Sequence, residues 1–134
     1  DRDLHVYDVQ ARRWIKPMVT GQPPKQRSGH AGCLLGSYWY VAGGGDNTSA
    51  RPETYRLETK DAKTGLYHWN VVNPGTDAQA AAAGKEGLSL VPFRGVTGDF
   101  IVAFGGSDGK CRGDVYVMRV SNKETETETE TEKT

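Results

Sequence analysis

"YVAGGGDN", residues 40–47, and "IVAFGGSDG", residues 101–109, read as two copies of one device. Each is a β-rich apolar run broken by glycines and followed by small polar residues. Chance can place two glycine clusters in one chain, but a repeat must also share what flanks them. Gly44-Gly45 align with Gly105-Gly106 at an offset of sixty-one. The same offset sets Arg51 on Arg112, Glu53 on Asp114 and Tyr55 on Tyr116. A third copy lies at the start, where "DLHVYDV" (3–9) matches "ETYRLET" (53–59) at an offset of fifty, with Asp3 on Glu53 and His5 on Tyr55. The match runs on to a tryptophan, Trp14 in one unit and Trp69 in the other, with a longer turn around "KDAKTGLY" (60–67). Upstream of the glycines, "HAGCLL" (30–35) corresponds to "EGLSLV" (86–91), setting Glu86 where the earlier unit has His30.

The segments between turns are rich in Val, Tyr, Ile, Leu and Phe and too short and glycine-broken for helices, which predicts strands. Four antiparallel strands per unit are expected, lettered from the inside outward. Strand a covers about 29–35 and 86–92, with a tight "GS" turn after the first and a longer "PFRGVTGD" turn after the second. Strand b covers about 38–43 and 99–104; strand c covers about 3–9, 53–59 and 114–120; strand d covers about 12–18 and 67–73.

This order resembles kelch repeats, which build β-propellers. The residues that carry the resemblance are "RSGHAG" (27–32) with His30, the glycine pairs, the spaced Tyr55 and Tyr116, and the closing Trp14 and Trp69. The period of fifty to sixty-one is near the ~50 residues of a kelch unit. The resemblance implies an all-β fold of propeller blades, about two of them, forming a partial ring. It divides the chain into a partial blade at 1–20, a full blade at 27–73, a blade lacking its outer strand at 84–120, and a disordered Thr/Glu tail at 121–134. "GHAG…WYVAGGGDN" with "KEGLSLV…GDFIVAFGGSDGKCRGDVYV" is further similar to the end of the kelch region in kelch-containing acyl-CoA-binding proteins. In that family the acyl-CoA belongs to a separate helical domain and the kelch part docks proteins. The expected partners therefore include the remaining blades of the same parent chain.

In a propeller the inner strands crowd the axis, so glycine permits close backbone approach and positive φ at the end of strand b. Wide aromatic rings fill the wedge between diverging blades, each contributing on the order of 2–3 kcal/mol by area.

Of 134 residues, seventeen are Lys or Arg and seventeen Asp or Glu, so formal net charge is zero. The tail "KETETETETEKT" holds five of the acids and two of the bases, leaving fifteen bases against twelve acids, or +3, over residues 1–122. That excess is unclustered and predicts no nucleic-acid partner. No apolar run approaches the roughly 20 residues of a membrane helix. No leader pattern is present, so a cytoplasmic location with Cys33 and Cys111 as reduced thiols is expected.

The chemistry-bearing residues are few. His5, His30 and His68 have no partner at metal-ligand spacing. "GGSDGKC" (105–111) fails the phosphate-loop pattern, and Ser28 and Ser37 sit in no nucleophile elbow. No enzyme activity, cofactor or metal is expected; a metal-dependent propeller enzyme is the least favoured alternative, after the propeller portion of an acyl-CoA-binding carrier. The leading expectation is a protein-interaction module. The b–c and d–a loops emerge on one face, where Lys25, Arg27, Asp46, Asn47, Arg51, Asp108, Lys110 and Arg112 are the candidate partner-binding residues, the arginines favouring an acidic protein or peptide. The competing expectation is that Arg27, Arg51 and Arg112 form ion pairs between blades.

Overall fold

The computed structural model describes residues 3–46, 48–59, 66–73, 75 and 83–120; the Thr/Glu tail and Asn47 lie outside them. The strands are β1 (Val6–Asp8), β2 (Arg13–Ile15), β3 (Met18–Gly21), β4 (Ser28–Leu35), β5 (Tyr38–Gly45), β6 (Thr54–Thr59), β7 (Leu66–Asn73), β8 (Ser89–Gly95), β9 (Gly98–Phe104) and β10 (Val115–Val120). Among the described residues three sheets result: a β1–β2 ribbon, a central blade ordered β3-β7-β6-β5-β4, and a C-terminal blade ordered β10-β9-β8. Strands a to d of the central blade are β4 to β7, each antiparallel to the next. Among the described residues the fold is all-β, in antiparallel sheets of the kind that the resemblance to kelch blades implies.

Alternation of side chains gives each blade two packing faces. On the front face of the central blade, Cys33, Leu35 and Tyr40 pack against Ile101 and Val120 of the C-terminal blade, with Leu90 and Met118 beside them. On its rear face Val41, Tyr55, Leu57 and Trp69 form a second cluster, against which Leu4 packs. Tyr40 and Tyr55 are the largest fully buried side chains, one on each face. Rings thus fill the space between blades, and the central sheet is a wall shared by two cores.

Four details depart from the expectations. First, residues 12–18 form no single strand d. Arg12 takes a positive φ and Pro17 interrupts the ladder, so β2 ends at Ile15. Chain 18–21 then adds to β7 as a parallel fifth strand, with Met18 opposite Leu66 and Gly21 opposite Trp69. Second, strand a of the C-terminal blade runs Ser89–Gly95, not 86–92, and turns at Val96-Thr97. Pro92 is tolerated inside it because β8 is an edge strand, where a missing N–H removes no ladder bond on the open side.

Third, the repeat register differs. Val41 pairs with Tyr55 as Ala103 pairs with Tyr116, and Ala31 pairs with Ala42 as Ser89 pairs with Phe104. Gly43-Gly44 are therefore the equivalents of Gly105-Gly106, and Gly45 is the equivalent of Ser107. Both members of each pair have positive φ, 70° and 80° in one blade, 71° and 90° in the other. A Cβ at Gly43 would collide with Leu88 and come 2.7 Å from the Lys85 carbonyl oxygen, so glycine here admits the neighbouring blade. In the same register Arg27 is equivalent to Lys85, Gly29 to Gly87 and His30 to Leu88, replacing the pairing of His30 with Glu86. Fourth, Trp14 does not fill a wedge: it is 69% exposed and packs edge-on to Tyr7 across the β1–β2 ribbon. Trp69, by contrast, is buried.

Candidate functional site

The loops that follow strand b are each tied by an Asp–Arg pair. Asp46 accepts hydrogen bonds from the Thr48 hydroxyl (2.6 Å), the Thr48 N–H (2.8 Å) and the Ser49 N–H (2.8 Å), and it pairs with Arg51. The Thr48 hydroxyl foremost, then the two N–H groups, hold its carboxyl far below the usual carboxylate range. In the other blade Arg112 Nε donates to both oxygens of Asp108, at 3.0 and 3.2 Å. That bond lowers the Asp108 pKa and raises that of Arg112. The backbone follows suit, with Arg51 N–H donating to Gly44 O and Arg112 N–H to Gly106 O, both at 2.9 Å.

Behind these loops lies a second repeated unit. Arg27 Nη1 donates to Gly43 O and Glu53 O at 3.0 Å each, and its guanidinium lies 5.2 Å from the Tyr55 ring centroid. Its side chain is 3% exposed, and Nη2 stands 3.6 Å from Glu53 Oε2. Burial lowers the Arg27 pKa, an effect opposed by Tyr55 and Glu53. Burial pushes the Glu53 carboxyl up, but its backbone hydrogen bond, then Lys25 and Arg27, outweigh this and leave it lowered. Lys25 Nζ caps Glu53 Oε1 at 3.4 Å from the solvent side. In the C-terminal blade the corresponding trio is Lys85, Asp114 and Tyr116. Lys85 Nζ is 3.2 Å from Asp114 Oδ2, 3.5 Å from the Tyr116 hydroxyl and 4.6 Å from its ring centroid.

The described candidates sit in or beside the b–c and d–a loops, with different freedom. Arg27 is enclosed, Arg51 and Asp46 neutralise one another, and Arg112 and Asp108 form an open pair. The three arginines are paired within their own blades rather than between blades: Arg27 faces Glu53, and each b–c loop folds its Asp back on an Arg four or five residues away. Lys25 and Lys110 are exposed. Lys85, Glu53 and Asp114 were not among the sequence candidates. The signal that could have found Lys85 is the shared spacing of "RSG" (27–29) and "KEG" (85–87), a cation two residues before a glycine.

Among the described residues, no three of His, Cys, Asp and Glu gather closely enough to hold a metal ion. His5 and His30 are exposed, and His68 Nδ1 shares a 2.8 Å hydrogen bond with the Thr20 hydroxyl, fastening β3 to β7. Cys33 is buried and its thiol pKa raised by that burial, whereas Cys111 is exposed. Among the described residues no helix is long and apolar enough to cross a membrane.

The chain is 37% identical over 123 residues to acyl-CoA-binding domain-containing proteins 4 and 5 of Arabidopsis thaliana, covering 92% of this chain and 17% and 18% of theirs. It is 37% identical over 60 residues, 45% of its length, to the Rab9 effector protein with kelch motifs of Danio rerio, of which it covers 17%. It therefore spans less than a fifth of the length of these relatives. Residues 1–133 match the KLHDC2/KLHL20/DRC7 Kelch-repeats domain. With its repeated glycine pairs, cation–tyrosine trios and stacked antiparallel blades, the chain belongs to the kelch-repeat family.

Proposed function

We propose that this kelch segment is a non-catalytic docking module that binds an acidic protein or peptide through its b–c and d–a loops. The observation that carries the reading is the pair of Asp–Arg clips. They hold both b–c loops in defined shapes on rigid sheets, which lowers the ordering cost of binding. Lys25, Lys110 and Arg112 then point charge into solvent at the rim of the same face, where a carboxylate-rich segment finds salt-sensitive attraction. Asp46, Arg51 and Asp108 shape the loops, and Arg27 supports them from beneath; Asn47 lies outside the described residues.

The test uses fluorescein-labelled Glu-rich peptides and the chain carrying Lys25→Gln with Lys110→Glu, which removes charge without setting a carboxylate against Glu53. Wild-type binding that weakens with salt, and is lost in the variant at unchanged melting temperature, supports the reading. Equal binding by both proteins overturns it. Similarity to the Arabidopsis proteins favours a second reading, in which the segment is the propeller portion of an acyl-CoA-binding carrier. There it would supply the docking face while the acyl-CoA is held outside this chain.

A further inference from the structure

We infer that the acidic tail of this chain is the ligand of a basic turn on its own C-terminal blade. The inference does not rest on the loop-face reading. The turn is Gly95–Gly98, which joins β8 to β9 and carries a fully exposed valine, Val96, at its tip. An arginine stands on each side of it. Arg119 donates through Nη2 to Thr97 O, and its guanidinium lies 6.0 Å from the Phe100 ring centroid. Arg94 leans toward the central blade, where a Cβ at Gly36 would lie 3.0 Å from its Nη2. Both arginines are exposed. Among the described residues no carboxylate holds either of them in an ion pair. Asp99, the ladder partner of Arg94, is half-buried and already has a partner. Two cations are thus steadied by packing and left without a counter-charge.

The turn stays open when blades stand beside it. The equivalent connection of the central blade, Gly36-Ser37, is exposed although that blade packs against neighbours on both faces. By the register that sets Tyr116 on Tyr55, Arg119 corresponds to Glu58. Glu58 lies opposite Tyr38 on the face that meets the C-terminal blade, and it is only half-buried there.

The occupant is the segment that leaves from the same spot. β10 ends at Val120, directly after Arg119. Residues 121–134 follow, with five glutamates and two lysines, the acids alternating with threonine from Glu124 to Glu132. Three residues separate Val120 from Glu124, so the first glutamate lies within about 15 Å of Val120 whatever path the chain takes. Val120, Asp99 and Arg94 are successive partners across the ladder, which sets Arg94 about 10 Å from Val120. So short a tether gives the acids an effective concentration in the millimolar range beside the arginines. Laid out extended, an alternating segment turns its glutamates to one side, so more than one carboxylate meets the two guanidiniums. The tail is itself an acidic segment of the class proposed for the loop rim. Held at the turn, it leaves Lys25, Lys110 and Arg112 open to a partner.

Amide NMR of the full 134-residue chain tests this, read at Gly36, Val96, Thr97 and Gly98. One variant changes Glu124, Glu126, Glu128, Glu130 and Glu132 to Gln, which keeps the length of the tail and alters none of the described residues. A second carries Arg94→Gln with Arg119→Gln, and Arg94→Gln alone replaces it if the pair loses its far-ultraviolet β signature. In the wild type the four turn signals should move between low and half-molar salt. In the glutamine-tail variant they should stand at their high-salt positions from the start. In the arginine variant the threonine amides of the tail should lose their salt dependence. Turn signals identical in wild type and glutamine-tail variant at low salt overturn the inference. A response at Gly109 and Lys110 in place of the turn overturns it in favour of the loop rim as the tail's site. A response that vanishes on dilution overturns it too, because the contact is then between copies.

Discussion

The ammonium of Lys85 lies 4.6 Å from the ring centroid of Tyr116 with its side chain only 5% exposed, as the guanidinium of Arg27 lies 5.2 Å from that of Tyr55. A buried cation needs a partner, and in both blades the partner is the acid two residues before the tyrosine. The trio fastens the start of strand a to strand c across the intervening strand b.

The two ends of the Lys85–Asp114 pair should not cost the same to remove. Asp114 is 54% exposed, so once Lys85 becomes Met its carboxylate is simply hydrated. Removing Asp114 instead leaves Lys85 buried beside a ring, with no counter-ion at 3.2 Å. Asp114→Ala is expected to cost about 3 kcal/mol, near the low end for breaking a buried pair, and Lys85→Met about 1 kcal/mol. Urea midpoints with unchanged slopes would measure both; equal losses would contradict the asymmetry.

The glycines offer a contrast in which position alone varies. At Gly44 a methyl group would sit 2.5 Å from Ser28 O on a backbone with φ of 80°. At Gly113 it would meet nothing within 4 Å, and φ is not positive. Gly44→Ala is expected to cost about 3 kcal/mol, from left-handed strain and overpacking together. Gly113→Ala should stay within about 0.5 kcal/mol of wild type. Thermal melts of the two variants would decide it.

The two tryptophans separate what the sequence pattern conveys from what it hides. Trp14 and Trp69 look alike as unit-closing residues, yet one is 69% exposed and the other 8%. Burial depends on what stands beside the ring, and Trp14 lies in the two-stranded β1–β2 ribbon, packed only edge-on to Tyr7. Trp69→Ala should therefore cost about 3–5 kcal/mol and Trp14→Ala less than about 1 kcal/mol. A chain unfolded by the second change would mean that the ribbon is more deeply packed than Tyr7 alone provides.

Strand content and blade grouping were readable because glycine, aromatic and turn residues recur at nearly constant spacing. The one-residue register was harder to read, because Gly43, Gly44 and Gly45 form a run that aligns with Gly105-Gly106 in two ways. The aspartates were the better guide: Asp46 and Asp108 both clip the arginine that follows, and they align only when Gly43 is set on Gly105. Pro92 looked like the end of a strand because its tolerance depends on β8 being an edge, a fact of the sheet and not of the segment. The parallel pairing of Met18–Gly21 with β7 could not be foreseen, since its partner begins at Leu66. Lys85 was overlooked because a buried lysine and a solvated one look the same in a sequence.

The Asp46 and Asp108 clips make stability fall in acid, with a definite sign. Both carboxyls have folded pKa values below the ordinary Asp value of 3.8, so each contributes stability that is fully present above it. Protonation removes that contribution as pH falls below 3.8 toward the lower folded values. Melting temperature should therefore hold between pH 7 and 5 and then decline from about 4 downward. Asp46→Asn keeps an acceptor for Thr48 and Ser49 but loses the charge opposite Arg51. Its decline should be shallower, so the two curves converge in acid; parallel curves would show that the Asp46 clip contributes nothing.

The two cysteines give the most direct check on the stacking of the blades. Cys33 lies in the core shared by the central and C-terminal blades, and its thiol is pushed up by that burial, whereas Cys111 is exposed beside Arg112. The thiolate is the form that reacts, so burial protects Cys33 twice, by excluding the reagent and by keeping the proton on. Brief treatment with N-ethylmaleimide at pH 7 should add one label, mapped by mass spectrometry to Cys111. Cys33 should label only as denaturant opens the chain, following the same midpoint as loss of the β signal. If Cys33 labels well before that midpoint, the two blades part before either unfolds. The core they share would then be the weakest joint in the molecule.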